Sequence, residues 1–122
     1  MPLVVRNVSF SSRDPGRLCA FWAAAIGYTE RHDGPDGILL APDGWGFPRF
    51  TFQHVAEPKP SPGPVHLDLT ADDMEAQIER LIGLGATRHE TVEAAQSGTV
   101  TWTVMRDPDG NEFCVVQRPA SE

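Results

Sequence analysis

The sequence predicts an α+β fold built from two tandem βαβββ modules that form a curved mixed sheet with the helices outside. The main observation is an internal duplication. Residues 4–27 and 63–85 each contain an apolar-alternating run, a hydroxyl-x-x-Asp signal and an amphipathic stretch closed by glycine. Each half then carries a Pro-Asp-Gly turn and an apolar run that ends in Gln53 or Gln117. Such a repeat constrains the fold strongly, because each copy is one supersecondary unit.

Module one is predicted to span residues 1–55. Ser11-x-x-Asp14 followed by Pro15 marks a helix start, because short polar side chains cap free N–H groups and proline fits the first turn. Apolar residues at helical spacing after this start, including Phe21 and Trp22, predict one buried stripe. The predicted elements are a strand near 3–10, a helix that ends at Gly27, and strands near 28–32, 37–41 and 48–54.

Module two is predicted to span residues 65–122 and to follow a linker at 56–64, with the whole chain 1–122 forming a single domain. Four prolines and a glycine in the linker cannot continue a helix or a central strand. The helix of this module is predicted to bury Met74, Ile78, Leu81 and Ile82 on one face. The predicted elements are a strand at 65–70, a helix from the Thr70-x-x-Asp73 signal to Gly85, strands near 86–91, 99–105 and 112–118, and a loop at 92–98.

Composition excludes several classes of partner. The net charge is −7 and the lysines and arginines are scattered singly, which argues against nucleic acid and anionic membranes. No apolar window is long enough to span a bilayer. The two cysteines do not form a disulfide-dense framework, and the first ten residues do not resemble a secretory signal. We therefore expect a cytoplasmic protein.

The chain resembles the vicinal oxygen chelate superfamily, the group of glyoxalases, extradiol dioxygenases and bleomycin-resistance proteins, over essentially its whole length. Within that group it is most similar to glyoxalase-like proteins. The resemblance implies the glyoxalase/bleomycin resistance/dioxygenase fold and a homodimer. The segments that carry it are Asp14-Pro15 with Ala20-Phe21-Trp22 and Gly27, the strand His66-Leu67-Asp68-Leu69, and Asp107-Pro108-Asp109-Gly110-Asn111-Glu112-Phe113, which is the most specific.

The resemblance also implies where a metal would bind, because superfamily enzymes hold one divalent ion with a residue on the first and the last strand of each module. Aligning Gln53 with Gln117 places Phe50 at the last-strand position of module one, whereas a one-residue slip places Thr51 or Gln53 there. A slip of one residue turns every side chain of the strand to the opposite face of the sheet. Only His66 is a conventional ligand for such an ion, so we predict no metal site and no cofactor. The matching positions are Asn7 and His66 on the first strands, Cys114 on the last strand of module two, and Phe50, Thr51 or Gln53 on that of module one.

His66 and Asp68 are two residues apart on one strand, so both side chains project to the same face. Leu67 and Leu69 are predicted to take the opposite face, under the helices. A carboxylate raises the basicity of an imidazole and fixes its tautomer, so this pair could act as a general acid and base. Alternatively, the two side chains hydrogen-bond a ligand, or they satisfy one another as a polar pair.

For the other candidate residues, two positions are consistent with the sequence: the hydrophobic core and the candidate site. Trp102, Phe50 and Phe52 either line a cup between the modules or pack in the core. Cys114 fits a small apolar residue of the final strand better than a nucleophile or a soft metal ligand. Three further histidines are predicted to be surface residues at strand ends: His32, His54 and His89.

The leading functional hypothesis is a small-molecule-binding protein without the usual divalent-metal site, whose ligands include aromatic ones. A second hypothesis is a lyase, isomerase or hydrolase that acts on an oxygen-rich metabolite, with or without a metal, with His66 oriented by Asp68 as the base. A third is a regulatory or structural dimer with a vestigial cup. The residues predicted to line the cup are Asn7, Phe50, His66, Asp68, Trp102 and Cys114.

Overall fold

The structure, a computed structural model, consists of two compact units that are described one at a time. They are Met1–Lys59 and Pro60–Glu122 and are called module one and module two below. Residues 58–64 of the predicted linker lie outside the described part. In the described part, no helix is long and apolar enough to cross a membrane. The described residues are 2, 4–35, 37–57, 66–95 and 99–120.

Module one is a four-stranded mixed sheet with one helix. The strands lie in the order β1-β4-β3-β2, with β1 parallel to β4 and the other neighbours antiparallel. A short 3₁₀ turn, Asp43–Trp45, connects β3 to β4. The elements are β1 (Asn7–Ser12), α1 (Pro15–Ile26), β2 (Glu30–Gly34), β3 (Gly37–Ala41) and β4 (Arg49–His54).

Module two repeats this arrangement. Its strands lie in the order β5-β8-β7-β6, again with one parallel pair, β5 and β8. The α+β class and the βαβββ order in each half are therefore confirmed. The elements are β5 (Leu67–Ala71), α2 (Met74–Leu84), β6 (Thr87–Ala95), β7 (Thr99–Arg106) and β8 (Glu112–Gln117).

Both helices begin and end where the sequence predicts. The side chains of Asp14 and Asp73 each accept a hydrogen bond from a backbone N–H in the first turn, at 3.1 Å. Gly27 and Gly85 follow the helices in the left-handed conformation, which glycine adopts without a steric penalty. These local signals are sufficient to define α1 and α2.

The core of module one is aromatic. The rings of Phe10 and Phe52 stack with centroids 5.0 Å apart, and Trp22 of α1 packs edge-on against Phe50 at 5.8 Å. Phe50 and Phe52 are buried on the side of the sheet that α1 covers. The prediction that Phe50 lines a cup does not match this position, because its ring fills the space under the helix.

The strand register decides which residue of module one corresponds to Cys114. In the parallel pairs, Ser9 lies opposite Thr51 and Asp68 lies opposite Cys114. Asn7 and His66 each lie two residues before those first-strand positions. Thr51 is therefore the counterpart of Cys114, and the alignment of the two glutamines is off by one residue.

Two further expectations differ from the structure. The predicted loop at 92–98 is shorter, because β6 continues to Ala95; residues 96–98 lie outside the described part. Met74, Ile78 and Leu81 are buried as predicted, whereas Ile82 is 46% exposed. The buried stripe of α2 is thus narrower than four residues, and Ile82 lies at its edge.

Candidate functional site

The candidate site lies on the face of the module-two sheet that is opposite α2. A hydrogen bond shows which face of the sheet α2 covers. The buried hydroxyl of Thr103 in β7 donates to the sulfur of Met74 in α2 at 3.6 Å. The alternation of β-strand side chains then places Trp102 and Val104 on the other face. Helix packing on one face leaves the second face of this sheet available for a site.

One row of side chains crosses this face. The strand pairing aligns Asp68 of β5, Cys114 of β8, Val104 of β7 and Glu90 of β6 as successive neighbours. Directly opposed residues in a sheet have Cβ atoms about 4.5–5.5 Å apart, so adjacent members of the row interact. The fold therefore brings Asp68 directly beside Cys114; the sequence analysis assigned both residues to one cup but did not identify their strand pairing.

His66 lies directly before β5 and reaches Asp68. Its Nε2 atom is 3.2 Å from Oδ1 of Asp68, and the side chains are 47% and 63% exposed. Leu67 and Leu69 are half-buried between them in the alternating pattern that was predicted. The imidazole and carboxylate form a surface-accessible pair at one end of the row.

These side chains line a pocket of about 500 Å³. The indole of Trp102 and the side chains of Val104 and Val116 supply its apolar surface, while carboxylates and imidazoles supply the rest. The sequence analysis named only His66, Asp68, Trp102 and Cys114 among its residues. The full lining is His66, Asp68, His89, Glu90, Trp102, Val104, Glu112, Cys114 and Val116.

The additional lining residues differ in how readily sequence could have identified them. Glu112 and Val116 follow from Cys114 by the two-residue period of a strand. Glu90 and His89 do not, because an irregularity between Arg88 and Glu90 shifts the register of β6. His89 is exposed, as predicted, but it also lines the pocket.

The pocket is acidic. Asp68, Glu90 and Glu112 contribute carboxylates, and Nη2 of Arg106 lies 3.8 Å from Oε1 of Glu112. Burial raises the pKa of the Cys114 thiol to about 11, and the charge and hydrogen bonding of Asp68 and the charge of Glu112 act in the same direction. At neutral pH Cys114 is therefore a thiol and not a reactive thiolate.

The corresponding face of module one has different chemistry. The hydroxyl of Thr51 donates to Oδ1 of Asn7 at 2.9 Å, and the amide of Asn7 donates to the hydroxyl of Ser9 at 3.0 Å. A smaller pocket of about 290 Å³ on this module is lined by His32, Gly34, Pro35, Gly37, Ile38, Leu39, Thr51 and Gln53. The expectation that Asn7 and His66 serve a common cup involves both modules and stays a prediction.

The donor atoms of the two modules differ in their fit to a divalent metal. Asn7 and Thr51 offer an amide and a hydroxyl that are hydrogen-bonded to each other, so these two positions of module one lack the imidazole and carboxylate ligands that such ions prefer. His66, Asp68 and Cys114 offer an imidazole, a carboxylate and a sulfur atom within 4.8 Å of one another. The family arrangement with ligands from both modules does not fit this chain, whereas the module-two donors alone do.

Solved structures of glyoxalase/bleomycin resistance proteins share this fold. One is a family enzyme from Burkholderia phytofirmans with a TM-score of 0.70 and 18% identity, covering 93% of this chain and 97% of that chain. Another, from Sphaerobacter thermophilus, has a TM-score of 0.68 and 18% identity, covering 96% and 98%. A third, from Albidiferax ferrireducens, has a TM-score of 0.66 and 19% identity, covering 93% and 98%. At these identities the likeness concerns the fold.

The family follows from the sequence. The chain belongs to the glyoxalase-like domain family, whose sequence profile matches residues 7–116. No curated protein is similar enough to this chain to count as a match.

Proposed function

We propose that the protein binds a small molecule that carries a flat ring system and a positive charge or hydrogen-bond donors, in the pocket of module two. The observation that carries this proposal is the combination of one aromatic wall, Trp102, with three carboxylates around a single pocket. Asp68 and Glu112 lie on the two parallel strands, and Glu90 lies across the sheet on β6.

The size of the pocket supports a small-molecule ligand. Ligand pockets in proteins are commonly about 300–1,000 Å³, and this pocket lies within that range. Trp102 offers an indole face on which a planar ligand can stack, and Val104 and Val116 extend the apolar surface. These features support a ligand of the size of a fused-ring compound.

The charge of the pocket supports a cationic ligand over an anionic one. Its carboxylates are reinforced by the net charge of −7 over the whole chain. A cleft lined by one sign of charge raises the local concentration of oppositely charged ligands and excludes like-charged ones. Hydrogen bonds in which the acceptor is a carboxylate are also stronger than neutral ones.

Fluorescence anisotropy with the planar cation N-methylacridinium tests this proposal on EDTA-treated protein. The cation is expected to bind in a salt-dependent manner, while acridine-9-carboxylate, an anion of similar shape, is expected to bind much more weakly. Trp102→Leu should weaken cation binding by about tenfold, because a well-placed aromatic contact contributes about 1–1.5 kcal/mol. Trp45→Leu is the matched control, since Trp45 is exposed on module one.

Two results would count against this function. One is equal affinity for the cation and the anion, since the acidic pocket would then play no part. The other is an equal loss of affinity in Trp102→Leu and Trp45→Leu, which would locate the binding outside this pocket.

A second candidate function is supported by the His66–Asp68 pair. An imidazole beside a carboxylate is the arrangement of a general base, and it lies at the mouth of a pocket. The corresponding reaction is proton abstraction next to a carbonyl group, as in a lyase or isomerase that acts on an oxygen-rich metabolite. The acidic lining favours a neutral substrate, because an anionic one would be repelled.

Exchange of carbon-bound protons in D₂O tests this candidate. Hydroxyacetone and dihydroxyacetone are suitable neutral probes, and proton NMR follows the loss of their C–H signals. Enzyme-dependent exchange that disappears in His66→Gln but persists in His89→Gln would support the base. Exchange that is unchanged in His66→Gln would exclude His66 from that role.

A further inference from the structure

Three donor atoms of module two meet at one end of the pocket. His66 lies directly before β5, Asp68 belongs to β5, and Cys114 belongs to the neighbouring strand β8, directly opposite Asp68. The imidazole nitrogen, a carboxylate oxygen and the sulfur all lie within 4.8 Å of one another. The parallel pairing of β5 and β8 produces this cluster without a contribution from module one.

The spacing of these atoms is close to that of a tetrahedral metal site. Nitrogen and oxygen ligands about 2.0–2.1 Å from a zinc ion lie roughly 3.3 Å apart, and sulfur lies roughly 3.6 Å from either of them. Nε2 of His66 and Oδ1 of Asp68 are 3.2 Å apart. The distances from the sulfur to the other two atoms therefore need to shorten by about 1.2 Å at most, which rotations of the exposed His66 and Asp68 side chains can supply.

The chemistry of the donors selects the class of ion. Sulfur and imidazole ligands suit zinc, cobalt and related borderline ions, whereas magnesium and calcium require oxygen ligands. A set with three protein ligands leaves one tetrahedral position for water or for a ligand in the pocket.

We propose that module two alone binds a divalent ion of the zinc or cobalt class through His66, Asp68 and Cys114. The site differs from the superfamily arrangement in two respects: Asp68 is a ligand, and Asn7 and Thr51 are not. It does not depend on the organic ligand proposed above. When an ion is bound, His66 is a ligand and is no longer available as a base.

Absorption spectroscopy with Co²⁺ tests the site on protein first treated with EDTA. A sulfur-to-cobalt charge-transfer band in the near ultraviolet, together with strong visible bands of a tetrahedral complex, is the expected result at one ion per chain. Cys114→Ser should abolish the charge-transfer band. Cys19→Ser should retain it, because Cys19 is fully buried in α1 of module one.

Further variants separate this site from one that uses both modules. Asp68→Asn and His66→Asn should each weaken Co²⁺ binding by at least about a hundredfold, since loss of an outer-sphere partner alone costs about 10–100-fold. Thr51→Val and Asn7→Ala should leave the affinity unchanged. Circular dichroism and the melting temperature in EDTA establish that each variant is folded.

Three results would overturn the proposal. The first is the absence of a charge-transfer band in the wild-type protein. The second is a band that persists in Cys114→Ser, and the third is a loss of affinity in Thr51→Val equal to that in Asp68→Asn. Because N-methylacridinium binding is measured in EDTA, none of these results affects the test of the proposed ligand.

Discussion

The chemistry of Cys114 depends on the side chains around it, and above all on Asp68. Each is ordinary in sequence, and analysis of the sequence interpreted Cys114 as a small apolar residue. It is indeed buried, at 5% exposure, but it also lines the pocket beside a carboxylate. The sequence predicted that His66 and Asp68 share a face and that Cys114 lines the same cup. It did not predict that Asp68 lies directly opposite Cys114, because that contact depends on the pairing of β5 with β8.

The raised pKa of Cys114 predicts a loss of stability at alkaline pH in metal-free protein. The folded state holds the thiol proton up to about pH 11, whereas an unfolded cysteine ionises near pH 8.5. The stability contributed by the neutral thiol is therefore complete below about pH 8.5 and is lost as the pH rises through the folded value. Urea denaturation at pH 7.5 and at pH 10 should show a larger decrease for the wild type than for Cys114→Ser.

Cys19 provides the control for this measurement. Burial raises its pKa as well, and Cys19 is present in both proteins, so its contribution cancels in the comparison. Equal decreases in the wild type and Cys114→Ser would show that the Cys114 thiol does not have the raised pKa.

Asp107 is the residue that organises the turn before β8, and its role is structural. Its buried carboxylate accepts hydrogen bonds from the backbone N–H groups of Asp109 and Asn111 and from the side-chain amide of Asn111, at 2.9–3.1 Å. Asp107→Ala should lower the free energy of unfolding by about 1–3 kcal/mol, because half-buried donors lose their acceptor. Chemical denaturation measures this change.

Asp43 is the matched control for Asp107, since it belongs to the Pro-Asp-Gly turn of module one and is exposed. Asp43→Ala should change the free energy of unfolding by less than about 0.5 kcal/mol. Comparable losses in the two variants would contradict the structural role of Asp107.

Helices and strands differed in how well the sequence predicted them. The bounds of α1 and α2 follow from local signals, namely the caps Asp14 and Asp73 and the closing glycines. Local signals do not determine which side chains of β4 point to which face of the sheet, because this depends on the strand register. The structure pairs Ser12 with His54 and Ala71 with Gln117, so Gln117 corresponds to His54 and not to Gln53.

The side chain of Gln117 explains why the glutamines misled the alignment. Its Oε1 accepts from the backbone N–H of Met74 at 2.9 Å and its Nε2 donates to the carbonyl of Asp72 at 2.6 Å, so it fixes the start of α2. Gln53 lines the smaller pocket on the other face of its own sheet. Residues of the same type at matching places in the repeat therefore have different roles.

The register of β4 leads to a prediction for Phe50. Phe50→Ala should lower the free energy of unfolding by about 3–5 kcal/mol, since a buried aromatic ring is removed from the cluster under α1. Ile82→Ala, on the exposed side of α2, should cost far less. Denaturation midpoints measure the change in stability of both variants. A small loss of stability in Phe50→Ala would contradict the burial of this ring in the cluster under α1.

At the scale of the whole molecule, the duplicated fold carries a different set of pocket-lining residues on each module. The modules share their element order and strand order, and the family relationship spans both of them. Repeat and motif analysis therefore predicted the architecture. It could not predict that the acidic pocket and the three donor atoms lie on one module, since that difference arises from single residues such as Asn7 and His66 at equivalent positions.

The predicted homodimer and the cytoplasmic location remain predictions. Sedimentation velocity tests the first, and a species with twice the chain mass of 13.3 kDa is expected. A single 13.3 kDa species at micromolar concentration would contradict it.

The central claim is that ligand binding belongs to the face of module two that is opposite α2. Amide chemical-shift mapping by NMR during titration with N-methylacridinium tests it most directly. The largest shifts are expected in residues 67–69, 102–104 and 112–116. Largest shifts in β1 and β4 of module one, at residues 7–12 and 49–54, would contradict it.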